Sequence, residues 1–148
     1  MADSISIRPA DAIADLPAVS RLLAEAKLIP ITPDAQFGSQ YILALADDKI
    51  IGVAGMEVHG TEGLLRSVCL DPKYRSLRIG GALVENRIEW ARSQGLQAIY
   101  LLTTTAASYW PRFGFVTIER NLAPSSIAQS HEWNGACSAE SSALKLDL

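Results

Sequence analysis

Between Tyr41 and Leu70 the chain passes through three strand-length apolar runs, and nothing else in the sequence limits the fold so strongly. The runs are residues 41–46, 50–58 and 64–70. Asp47-Asp48 separates the first two, and His59-Gly60-Thr61-Glu62-Gly63 separates the second and third. Short polar turns between such runs predict an antiparallel meander. The period then changes. Ile79, Leu83, Ile88 and Ala91 recur at helical spacing up to Gly95, a residue suited to the left-handed turn that closes a helix. Residues 98–102, 115–118 and 143–148 read as further strands.

Upstream, Ile5 and Ile7 alternate with polar residues, which predicts a short strand ended by Pro9. Asp15 is placed to cap a helix over 16–26, with Pro17 in its first turn and Val19, Leu22, Leu23 and Ala26 as its apolar face. Residues 28–40, with Pro30 and Pro33, should form a loop. A short helix is expected over 105–112, capped by Thr104 or Thr105, and 121–135 should be irregular. A meander followed by alternating helices and strands predicts an α/β (α+β) domain built on a mixed, mostly antiparallel sheet of six to seven strands. The 148 residues suit one domain over 1–148, with a loop-rich segment 121–148 completing the sheet or the substrate side.

Composition excludes several classes of function. A net charge of -3 argues against non-specific nucleic-acid binding. No apolar run reaches the roughly 18 residues of a membrane span, so no membrane partner is expected. The start, MADSISIRP, lacks the basic and long apolar regions of a secretion signal, which points to the cytoplasm. Cys69 and Cys137 read as reduced thiols, with no disulfide framework. No metal is expected. Trp133, in a polar tail, points to a buried contact, for which a homodimer is one source.

The chemistry concentrates where the third run enters the long helix, at Val68-Cys69-Leu70-Asp71-Pro72-Lys73-Tyr74-Arg75-Ser76-Leu77-Arg78-Ile79-Gly80-Gly81. Backbone N–H groups at a helix start have no internal partners, and the helix dipole favours an anion there. Gly80 and Gly81 remove Cβ atoms from the approach, and Lys73, Arg75 and Arg78 add positive charge. A pyrophosphate is the natural ligand; a helix start with solvated basic residues is the plain alternative. No Gly-Lys-Ser/Thr ends the loop, so it is not a P-loop. The preceding meander is unlike a dinucleotide-binding unit.

These residues resemble the GCN5-related N-acetyltransferase (GNAT) family. Its acetyl-CoA loop, Arg/Gln-x-x-Gly-x-Gly/Ala, is matched by Arg75-x-x-Arg78-x-Gly80. A second family signature, a helix closing on Gly-Phe, is matched by Tyr109-Trp110-Pro111-Arg112-Phe113-Gly114-Phe115. The resemblance covers roughly residues 5–120. Gly55-Met56-Glu57, Leu65-Arg66-Ser67-Val68 and Leu101-Leu102-Thr103-Thr104-Thr105-Ala106 are also similar to the branch associated with arsenic-resistance operons. Two positions depart from the family. Arg78 replaces a motif glycine, at a cost on the order of 1 kcal/mol if the backbone there needs a positive φ. Trp110 stands where a tyrosine general acid is common.

The resemblance implies an N-acetyltransferase that moves the acetyl group of acetyl-CoA to the primary amine of a small molecule, by direct attack in a ternary complex. The alternative is a non-catalytic acyl-CoA-binding module of the same fold. The implied cofactor residues are Val68, Cys69, Leu70, Arg75, Ser76, Arg78, Ile79, Gly80, Gly81 and Thr103, with the cofactor between the strands ending at Leu70 and Leu102. The Val68 N–H is placed to stabilise the oxyanion. Glu57 is the candidate base, expected to be partly desolvated with a raised pKa; the other reading pairs it with Arg66. His59 shares its strand face. Tyr109 is the candidate acid. Arg66 and Ser67 are expected to orient an anionic part of the substrate.

Overall fold

The computed structural model describes residues 4–137 and 140–148, with Ser76 described in its backbone alone. Its strands are β1 (Ile5–Pro9), β2 (Tyr41–Ala46), β3 (Lys49–His59), β4 (Glu62–Leu70), β5 (Ala98–Thr103), β6 (Val116–Ile118) and β7 (Ser142–Asp147). They form one mixed sheet in the order β1-β2-β3-β4-β5-β7-β6. β4 and β5 run parallel, pairing Glu62–Leu64 with Ala98–Tyr100. The pairs β1–β2, β2–β3, β5–β7 and β6–β7 are antiparallel. The helices are α1 (Leu16–Glu25), α2 (Ile79–Ser93) and the one-turn α3 (Ser125–Ala128). No helix among the described residues is long and apolar enough to cross a membrane.

The chain divides into two compact units. One takes Met1–Met56 with Ser67–Arg87, the other Glu57–Arg66 with Ile88–Leu148. In the first unit β2 explains its own sequence. Side chains alternate across a strand, and here both faces are covered. Tyr41, Leu43 and Leu45 pack with Val19 and Leu23 of α1, while Ile42, Ala44 and Ala46 pack with Ile79 and Leu83 of α2. All six residues of β2 are therefore buried, and the strand reads as a continuous apolar run. Gly55 is required by the ring of the fully buried Tyr41, which occupies the space a Cβ would need.

The helix starting at Leu16 forms as predicted, but Asp15 does not cap it with its side chain. That carboxylate instead accepts from the Arg8 guanidinium at 2.7 and 3.0 Å and from the Asp11 N–H at 2.7 Å. The Arg8 hydrogen bonds outweigh burial and hold its pKa below the usual carboxylate range. At the far end of α2, Gly95 takes φ 77° as expected, and the Leu96 N–H reaches back to the Ala91 carbonyl.

The second unit refines one expectation and corrects another. Residues 121–135 are mostly turns, as expected, but carry one helical turn: a 3-10 turn at Arg120–Leu122 precedes α3, and a wide turn at Glu132–Ala136, kinked at Asn134 and Gly135, follows it. Elements of three to five residues leave no periodicity to read. Trp133 is indeed buried, but within its own chain. It packs edge-on against Tyr100 at 6.1 Å, its indole N–H donates to the Arg120 carbonyl at 3.0 Å, and Arg120 donates back to the Trp133 carbonyl at 2.9 Å. It therefore offers no support for a homodimer.

Candidate active site

β4 does not run straight into the turn that follows it. Ser67 takes φ 57°, a left-handed angle rare in a strand. Beyond it the side chains again alternate. Val68 and Leu70 pack toward Ile79 and Leu83, while Cys69 packs toward α1, its thiol 3.7 Å from the Leu22 carbonyl. Burial pushes the Cys69 thiol pKa up, so it behaves as a small core residue.

Asp71 opens the turn. Its N–H donates to the Ile51 carbonyl at 2.7 Å, and its carboxylate accepts from the Lys73 N–H at 3.0 Å. A 3-10 helix over Pro72–Leu77 follows, and Arg78 joins it to α2. Arg78 takes φ 58° and ψ 23°, the left-handed conformation that a glycine adopts without strain. The residue thus departs from the family motif while its backbone keeps the conformation a glycine favours. Lys73, Arg75 and Arg78 are exposed, Gly80 and Gly81 are half-buried, and Ile79 anchors the helix start in the core. A Cβ at Gly81 would meet nothing within 4 Å, so the fold itself does not require glycine there. The side chain of Ser76 lies outside the described residues.

In the second unit the structure gathers Glu57 and Arg66 as the sequence suggested, with His59 from the same strand face, and adds Glu132 and Cys137. The Arg66 guanidinium, fully buried, donates to Glu57 Oε2 at 2.6 Å and faces Glu132 Oε2 at 3.3 Å. His59 Nε2 lies 2.7 Å from Glu57 Oε1. The Cys137 thiol approaches Glu132 Oε1 at 3.7 Å. The chain of contacts is His59, Glu57, Arg66, Glu132 and Cys137. No local signal in the sequence marks Glu132 or Cys137, because both reach the cluster from the tail.

This geometry overturns the raised pKa expected for Glu57. Burial pushes its pKa up, but hydrogen bonds from His59 and Arg66, with the Arg66 charge, outweigh that and hold it below the ordinary glutamate value. Glu132 is the opposite case. Burial raises its pKa, and Arg66 offsets this only in part. The Cys137 thiol, buried beside that carboxyl, is pushed up to about 12. Arg66 is also corrected: with no exposed side-chain surface and two carboxylates on it, it holds the cluster together and is not open to an anionic substrate.

Thr103, at the end of β5, accepts from the Ala106 N–H at 3.2 Å and so caps the turn that Thr104 or Thr105 was expected to cap. The helix expected over 105–112 is a 3-10 turn at Trp110–Phe113, closed by Gly114 at φ 98°. Pro111 has no N–H to donate and cannot continue an α-helix begun at 105. Tyr109 is half-buried, edge-on to Trp110 at 5.1 Å and to Phe113 at 5.4 Å. The Arg112 guanidinium lies 4.2 Å above its ring. Trp110 is buried, and its indole N–H has no hydrogen-bond partner among the described residues.

The model of the acetyltransferase (GNAT) family matches residues 14–115. The chain belongs to that family. It is an acetyl-CoA-dependent acetyltransferase. Among curated relatives it is 28% identical over 129 residues to the [ribosomal protein bS18]-alanine N-acetyltransferase of Salmonella typhimurium, covering 80% of this chain and 86% of that one. It is 29% identical over 87 residues to the amino-acid acetyltransferase of Photorhabdus laumondii, covering 57% of this chain and 19% of that one. The fold of this acetyltransferase is that of N-acetylglutamate synthase from Neisseria gonorrhoeae, solved with coenzyme A and N-acetyl-glutamate. The TM-score is 0.80 at 21% identity, over 98% of this chain and 35% of that chain. The chain thus spans about a third of the synthase and about a fifth of the Photorhabdus enzyme.

Proposed function

We propose that this acetyltransferase passes the acetyl group of acetyl-CoA directly to the primary amine of a small, amino-acid-like molecule in a ternary complex. The observation that carries the cofactor half is the turn after β4: a left-handed Arg78, two glycines and three exposed cations at the start of a 15-residue helix. Amides from Arg75, Ser76, Arg78, Ile79, Gly80 and Gly81 hold the diphosphate, with the Arg75 and Arg78 guanidinium groups outside it. The main chain of Val68, Cys69 and Leu70 pairs with the pantetheine amides, and the Val68 N–H receives the oxyanion. The left-handed Ser67 lies one residue before that N–H and sets its direction. The family resemblance gives Thr103 a cofactor contact and the Tyr109 phenol the protonation of the departing thiolate.

The acceptor half rests on the relatives. Two act on amino acids by name or bound product, and a third on an alanine of ribosomal protein bS18. The resemblance to the arsenic-resistance branch extends the acceptor panel to amino-acid-like arsenicals and phosphinates. Free Cys69 and Cys137 agree with a reducing, cytoplasmic setting.

Two measurements test the reading. Coenzyme A raises the melting temperature of the wild type, and Gly80→Asp, which puts a carboxylate against the diphosphate, removes that rise. Thiol release from acetyl-CoA in the presence of one of the amines completes the case. A rise that survives Gly80→Asp moves the cofactor elsewhere, and absence of thiol release with every amine overturns the acceptor class.

A further inference from the structure

One residue of β4 holds an angle that its side chain does not favour. Ser67 takes φ 57°, a left-handed value that costs any residue bearing a Cβ conformational energy. Such an angle persists only where the surrounding structure over-determines it. The chain is held on both sides of Ser67. After it, Val68 and Leu70 pack with Ile79 and Leu83, the Cys69 thiol lies 3.7 Å from the Leu22 carbonyl, and the Asp71 N–H donates to the Ile51 carbonyl at 2.7 Å. Before it stands Arg66, with no exposed side-chain surface. Its Nη1–H donates to Glu57 at 2.6 Å, and its Nε lies 3.3 Å from Glu132. β3 and the tail thus grip one planar guanidinium through two of its nitrogens. It cannot swing away without stranding two buried carboxylates. Stability alone does not call for such a triad, because an apolar set of similar volume is often as stable.

We propose that Arg66, clamped by Glu57 and Glu132, is a positioning residue for acetyl transfer: it holds Ser67 in the left-handed angle that aims the Val68 N–H at the thioester oxygen. The proposal rests on the acetyl-transfer reading above, in which that N–H receives the oxyanion. The coupling runs along the chain itself. Arg66, Ser67 and Val68 are consecutive, and the peptide planes on either side of Ser67 are rigid. With the Arg66 side fixed, the two Ser67 torsions alone decide where the Val68 N–H points. Glu132 and Glu57 act through Arg66, and none of the three is a catalytic residue.

The experiment is a double-mutant cycle on the full chain, read by thiol release from acetyl-CoA with glycine, alanine and glutamate as acceptors. Glu132→Ala leaves Arg66 held by Glu57 alone. It lowers kcat by up to the order of 10²-fold and keeps both the KM for acetyl-CoA and the melting rise given by coenzyme A. Glycine adopts the left-handed angle freely, so the same change made in Ser67→Gly costs a smaller factor. Should Glu132→Ala melt below the assay temperature, Glu132→Leu, which fills the space without an acceptor, replaces it. Infrared spectra of bound acetyl-CoA, labelled with carbon-13 at the thioester carbonyl, give a readout free of turnover. On wild type the carbonyl stretch falls below its value in buffer, and on the Glu132 variant it moves back toward that value. Equal factors in both backgrounds, or a stretch that the variant leaves at the wild-type value, overturn the clamp and leave the acetyltransferase reading standing. A stretch on wild type equal to that in buffer overturns the Val68 oxyanion role and the clamp together. Wild type that releases no thiol with any amine overturns the acceptor class, and the infrared comparison still decides the clamp.

Discussion

Arg66→Met tests the buried cluster most directly. The substitution replaces a guanidinium with no exposed surface by an apolar chain of similar length, leaving Glu57 and Glu132 without their shared cation. Removing one partner of a buried pair costs about 3–5 kcal/mol, because an uncompensated charge stays behind. At about 2–4 °C per kcal/mol for a chain of this size, the melting temperature falls by about 6–20 °C. The direction with pH is fixed as well. In wild type the depressed Glu57 pKa contributes stability above the ordinary glutamate value, and that contribution is lost as pH falls through the folded value. In Arg66→Met both buried carboxylates have lost the cation they shared, so protonating them relieves the fold. The gap between variant and wild type therefore narrows on acidification. Urea denaturation at pH 7 and pH 5 measures both effects. A loss below about 1 kcal/mol, the scale of an exposed pair, or a gap that widens in acid, refutes the account.

Other consequences are simpler to check. Gly55→Ala forces a Cβ into the Tyr41 ring, and chemical denaturation should show a loss of about 1–3 kcal/mol. Arg78→Gly relieves a left-handed side-chain-bearing residue, so melting should show a gain on the order of 1 kcal/mol; calorimetry should show weaker coenzyme A binding as a phosphate contact is lost. Glu132→Gln flattens the pH dependence of stability. The raised Glu132 pKa means that wild type loses stability as pH climbs from the ordinary glutamate value to the folded one, and an amide has no such slope. Gly81→Ala fits the fold and favours the helix by about 1 kcal/mol, so a melt should show stabilisation even where calorimetry shows poorer cofactor binding.

Much of the architecture was legible in the sequence because it depends on local pattern. The meander, the long helix stopped at Gly95 and the strand over 98–102 each follow from apolar spacing and a turn residue. What was hidden depends on long-range partners. Asp15 looks like a cap until Arg8 takes its carboxylate. Glu57 looks like a half-desolvated base until Arg66 and His59 fill both its oxygens. Glu132 is invisible beforehand, since a single acid in a polar tail carries no period and its cation lies on a distant strand. Arg78 taught the reverse lesson: the side chain changed while the backbone angle kept its left-handed value.

The mutual grip of Arg120 and Trp133, each donating to the other's main chain, closes the stretch between them on itself. Such a stretch carries most of its own geometry wherever its two ends are held. Trading the exposed intervening residues for those of another family member is therefore a route to a new acceptor preference, provided the two clasping residues travel with the insert together with Ile127, which packs on the sheet, and Glu132, which pairs with Arg66.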